Sequence, residues 1–153
     1  DVGSDVSSQN SEINGYISGG AAPDTNTIQR FPFASDTNAF NVGDLTVTRR
    51  RATGQSSTTD GYVSGDRRGY TGLGTIDKFS FASNNNATQV GSLSVGREYG
   101  SGQSSNVSGY TAGGTDINAT TDVIDKFPFA SDGTATDVGN LAGGETLGHG
   151  QHV

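Results

Sequence analysis

Phe31-Pro32-Phe33-Ala34-Ser35 returns as Phe79-Ser80-Phe81-Ala82-Ser83 and again as Phe127-Pro128-Phe129-Ala130-Ser131, each time 48 residues further on. The same period carries Val42-Gly43, Val90-Gly91 and Val138-Gly139, then Leu45, Leu93 and Leu141. It also carries Gly54-Gln55, Gly102-Gln103 and Gly150-Gln151. A Gly-Tyr pair follows it at Gly15-Tyr16, Gly61-Tyr62 and Gly109-Tyr110, with two residues missing from the first copy. A fixed period of this size predicts a repeat architecture in which each unit buries its apolar faces against its neighbours.

Within a unit the apolar residues fall in four short runs. They are exemplified by Ala52–Thr58, by Gly15–Gly19, by Ile28–Phe33 with Ile76–Phe81 and Ile124–Phe129, and by Val42–Val47 with Val90–Val95 and Val138–Leu141. Clusters such as Asn84-Asn85-Asn86 and Asp132-Gly133-Thr134 break the chain between them, and no 3.6-residue period survives. Four strands per unit follow, with essentially no helix. In the third run Phe79 and Phe81 share one face while Ile76 and Lys78 take the other. Both faces carry apolar bulk, as in a sheet held between two others. Phe31, Phe79 and Phe127 are expected in the core, with Tyr16, Tyr62 and Tyr110 beside them. Pro32 and Pro128, lacking a donor, mark where the ladder ends or bulges.

The 153 residues read as one repeat domain, 1–153, with units at about 9–47, 52–95 and 100–141 and partial units at both ends. Only 30% of residues are hydrophobic and 24 are Gly, a composition that could mean disorder. The recurrence of aromatic and aliphatic positions argues for packing instead. Position 1 is not Met and no Met occurs, which suggests a chain that was processed, excised or otherwise begins inside a longer product.

Four short strands per repeat, stacked face to face, is the pattern of propeller blades. Here the residues resemble the kelch repeat family. A diglycine closing the second strand corresponds to Gly113-Gly114, an aromatic ending the third to Ile124-Asp125-Lys126-Phe127, and an Arg after the fourth to Arg49 or Arg97. Two features depart from the pattern: there is no Trp on the fourth strand, and Gly65-Asp66 breaks the second diglycine. The resemblance implies an all-β chain of about three four-stranded antiparallel blades. The wealth of Gly, Ser, Thr and Asn is also similar to repeats of bacteriophage and other virion surface proteins, which implies an extracellular or virion-surface location.

The chemistry is mostly negative. No Cys is present, which removes disulfides, zinc thiolates and the Cys–Tyr crosslink of a kelch-like copper oxidase. A net charge of −7 disfavours nucleic acid and anionic membranes. Arg49-Arg50-Arg51 and Arg67-Arg68 are therefore expected as solvated turn or groove charges. No apolar run approaches the ~18 residues of a membrane helix. His149 and His152, three apart, fall on opposite faces of a strand and read as an exposed tail rather than a metal site. Asp116, Asn118, Thr120 and Asp122 alternate like the front of a calcium loop but lack its central Gly and distal Glu, so a solvated loop is expected. Asn86, Asn106 and Asn118 open Asn-x-Ser/Thr triplets, a pattern that chance supplies in such a composition. No catalytic residue, cofactor or metal ligand emerges.

The function expected is that of a non-catalytic structural or binding module, with loops presented to a protein or glycan partner. Self-association or membership of a longer polypeptide is expected to cover the outer units, whose apolar faces would otherwise be bare. The alternative is a carbohydrate- or small-ligand-binding propeller, lectin-like or hydrolytic. Paired carboxylates in the channel would favour it; scattered Ser, Thr and Gly would favour the first.

Overall fold

A computed structural model describes residues 5–21, 23–68, 71–117, 119–143 and 151–152. It is all-β, with no helix among the described residues. The first sheet holds β1 (Ser7–Asn10), β2 (Asn14–Ser18), β3 (Thr25–Pro32) and β4 (Phe40–Arg49), each antiparallel to the next. The second repeats this with β5 (Thr53–Ser56), β6 (Asp60–Arg68), β7 (Thr71–Ser80) and β8 (Thr88–Ser92). The third holds β9 (Ser101–Ser104), β10 (Ser108–Ala112), β11 (Val123–Pro128) and β12 (Thr136–Asn140). A short β13 (Gln151–His152) runs parallel to β9, Gln151 opposite Gln103. Pro32 and Pro128 are the last residues of β3 and β11, where a missing donor does least harm.

The sheets pack through two apolar layers. Tyr16, Ile28, Val42 and Leu45 of the first sheet meet Val63, Phe79 and Ala87 of the second. Tyr62, Ile76 and Leu93 of the second meet Phe127 and Ala135 of the third. The geometry repeats with the sequence: Tyr16 stacks on Phe81 at 4.7 Å and 25°, Tyr62 on Phe129 at 4.8 Å and 23°. Offset ring pairs of this kind add about 0.5–1.5 kcal/mol each beyond their buried area.

Two core expectations need correction. Phe79 and Phe127 are buried, but Phe31 is only half-buried, since no other described sheet packs on its side of the first sheet. Tyr110 is half-buried for the converse reason, at the far side of the third sheet.

Arg49 is a further correction. It is 1% exposed rather than solvated. Its Nη2 lies 2.7 Å from Asp77 Oδ1, and its Nη1 donates to Gly65 O at 3.0 Å and Thr75 O at 2.9 Å. Asp77 also accepts the Thr46 N–H at 2.8 Å. Arg97 repeats the joint one unit on, with Asp125 at 3.0 Å and Thr111 O at 2.8 Å, while Ser94 N–H donates to Asp125 at 3.0 Å. Both carboxylates sit at β-bulges, Ile76/Asp77 and Ile124/Asp125, which turn a side chain out of its regular alternation. A charge this deep survives only where a counter-charge and hydrogen bonds meet it. Arg50 reaches Asp24 at 3.5 Å, and Arg51 reaches Asp5 at 3.1 Å and Glu98 at 3.2 Å; the side chains of Arg67 and Arg68 lie outside the described residues.

Candidate binding cleft

The first strands of the three sheets, β1, β5 and β9, lie side by side, close enough that glycine is required between them. A Cβ on Gly54 would fall 2.0 Å from Ser8 O, and one on Gly102 2.2 Å from Gly54 O. Side chains stitch the three strands together. Gln9 Nε2 donates to Tyr62 O at 3.2 Å and Gln55 Nε2 to Tyr110 O at 3.0 Å. The Asn10 N–H donates to Ser56 Oγ at 2.9 Å, and the Ser56 N–H to Ser104 Oγ at the same distance.

Where these strands turn into β2, β6 and β10, their ends enclose a cleft of about 240 Å³. Its lining is one short segment taken three times: Asn10 to Glu12, Ser56 to Thr58, and Ser104 to Asn106. The middle serine of each segment builds its own turn. Ser11 Oγ accepts the Asn14 N–H at 3.0 Å, Ser57 Oγ the Asp60 N–H at 2.9 Å, and Ser105 Oγ the Ser108 N–H at 3.1 Å. These are serine turns of the ordinary local kind, so those hydroxyls are committed to the fold. What faces outward is the next residue, and it differs in each copy: Glu12, Thr58 and Asn106, all exposed. Beyond them Ile13 (66% exposed), Thr59 and Val107 (68%) form the turn tips. Glu12 is the one carboxylate in the lining, so the cleft offers no facing pair of acids for proton transfer.

The other sequence candidates lie elsewhere. Asp116 Oδ1 accepts the Ala119 N–H at 2.8 Å and Thr120 bridges back to Thr115, a tight turn; Asn118 is outside the described residues. No cluster of three or more His, Asp or Glu suited to a metal occurs among the described residues. His149 and the side chain of His152 fall outside them. Of the three Asn-x-Ser/Thr triplets, Asn106 lines the cleft and Asn86 accepts the Asp44 N–H at 3.0 Å. No described helix is long and apolar enough to cross a membrane. Burial pushes the Tyr62 phenol well above its usual range and holds Arg97 below its own, against the pull of Asp125.

No protein-family model and no curated protein matches the chain. Its fold is similar to that in the structure of YjhT, with a TM-score of 0.77 over 92% of this chain at 13% identity. The chain spans about half of that protein, 52% of its length.

Proposed function

We propose that this chain is a non-catalytic binding module made of kelch-like propeller blades, with its inner turns offered to a protein or glycan partner on a virion or other extracellular assembly. The observation that carries this reading is the cleft lining. Its repeated middle serines each build a turn, while the third position of the segment, Glu12, Thr58 and Asn106, varies from copy to copy and is exposed in all three. Variable side chains on a rigid repeated scaffold are how loops carry recognition. The channel end is scattered hydroxyl and amide with a single acid, which favours binding over hydrolysis. The likeness to YjhT supports the stacked-sheet fold beneath the proposal, and the period of 48 residues supports the blade reading.

Amide chemical shifts under titration with neutral and acidic oligosaccharides test it. Perturbations centred on Glu12, Thr58 and Asn106, lost in a Thr58→Val, Asn106→Val variant, are expected. Hydrolysis of a nitrophenyl glycoside that disappears in Glu12→Gln would overturn the non-catalytic reading.

A further inference from the structure

The two ends of the stack are the two halves of a joint that the chain already makes twice. At the second joint Tyr62, Ile76 and Leu93 receive Phe127, Phe129 and Ala135. Lys78 Nζ lies 3.1 Å from both carboxylate oxygens of Asp132, and the Ala135 N–H donates to Ser92 O at 2.7 Å. The first joint repeats the pattern, with the Ala87 N–H donating to Asp44 O at 2.8 Å.

The third sheet carries the receiving half with nothing described upon it. Ile28 and Ile76 are 0% exposed, whereas their counterpart Ile124 is only half-buried. Val42 is 8% exposed and its counterpart Val138 52%. Gly43 and Gly91 are pressed by the backbone of the next sheet, at Asn85 O and Gly133 O, while a Cβ on Gly139 would meet nothing. The first sheet carries the inserting half, equally bare. Phe33 is 56% exposed where Phe81 and Phe129 are packed, and Ala39 is exposed where Ala87 and Ala135 are buried.

The charges also match. The place of Lys78 is taken by Lys126 in the third sheet, and the place of Asp132 by Asp36 in the first, both exposed. Docking the one sheet on the other would pair them as Lys78 and Asp132 are paired. We infer that the free face of the third sheet docks the free face of the first sheet of a second copy, with Tyr110 receiving Phe31 and Phe33, and Lys126 meeting Asp36. Two copies then supply the length that the single YjhT chain supplies. This joint lacks the buried ion pair of the internal ones: Gln29 stands in the place of Asp77 and Asp125, and Glu145, outside the described residues, in that of Arg49 and Arg97. The end joint is therefore the weakest, and the association reversible. Gln151–His152 lies along β9 where β1 of the second copy would come, so this two-residue strand must yield to a four-residue one.

Light scattering and sedimentation velocity on the full chain test the joint, from micromolar to near-millimolar concentration. A mass of two chains is expected. Lys126→Glu would set like charges against each other and raise the dissociation constant about tenfold or more. Adding Asp36→Lys in the same chain restores the opposite pair and should recover the affinity; both positions are exposed, so folding is spared. A monomer throughout, or association that is indifferent to Lys126→Glu or not recovered by the charge swap, overturns the proposal. A monomer would leave the face to a further repeat of a longer polypeptide.

Discussion

Asp77→Ala removes the counter-charge of Arg49 and probes the joint between the first two sheets. Both side chains are 0% exposed, and the carboxylate meets Arg49 Nη2 at 2.7 Å and the Thr46 N–H at 2.8 Å. Leaving a guanidinium buried without its partner costs about 3–5 kcal/mol. With a urea m-value of about 2 kcal/mol/M, the midpoint should fall by about 1.5–2.5 M. Replacing both members, as Arg49→Met with Asp77→Leu, removes the orphaned charge. It still strips a donor from Gly65 O and Thr75 O. A buried ion pair replaced whole by apolar side chains is often neutral in stability, whereas removal of one partner is not, so the double variant should be more stable than Asp77→Ala alone. Urea titrations followed by circular dichroism measure all three. A loss under about 1 kcal/mol in Asp77→Ala, or a double variant less stable than the single, would refute the claim that burial of the charge sets the cost.

Other perturbations separate equivalent positions. Phe79→Ala should cost about 3–5 kcal/mol and Phe31→Ala distinctly less in the monomer, because only the first ring is enclosed; equal losses in denaturant titrations would contradict the assigned faces. Gly102→Ala drives a Cβ to 2.2 Å from Gly54 O, a backbone atom that cannot swing aside, so a clear fall in thermal midpoint is expected, read by calorimetry. Tyr62 is held neutral chiefly by burial, with Asp60 and Asp132 adding to the effect, so its pKa is raised on folding. That contribution to stability is whole below about pH 10, the ordinary tyrosine value, and is lost as pH rises above it. Tyr62→Phe should show a shallower alkaline loss of stability than the parent, and an identical slope would count against it.

The repeat was plain in the sequence because its largest residues recur with their spacing intact. Phe79 and Phe127 could be placed in the core, and Ile76 on the opposite face, from alternation alone. Phe31 and Tyr110 could not, since burial depends on having a neighbouring sheet and the local sequence is the same either way. The buried Arg–Asp joints were hidden for another reason. Each links residues 28 positions apart in different units, and charged side chains are ordinarily read as solvated. One signal was available: Asp77 and Asp125 each have an Arg 28 residues earlier, at Arg49 and Arg97, whereas Gln29 has Asp1. An acid appears where a cation is there to meet it. The two β-bulges that aim those acids left no mark of their own in the apolar pattern.

The residues that keep the period and those that break it divide the molecule between architecture and a surface free to vary. Ser11, Ser57 and Ser105 are identical because each closes the same turn. Gly54 and Gly102 are identical because nothing larger fits between the first strands of the sheets. No such constraint acts on Glu12, Thr58 and Asn106, whose side chains stand exposed at the rim of one cleft. A position freed from packing can diverge without a cost in stability, so difference there is tolerated by the fold and open to selection by a partner. The end faces, by contrast, keep the period: Arg30, Lys78 and Lys126 hold a cation in every sheet, and Asp36 and Asp132 hold an acid where the middle sheet has Asn84. What is peculiar to this chain is therefore written at the cleft rim, while the bare faces of the stack repeat the charges of the joint between the second and third sheets.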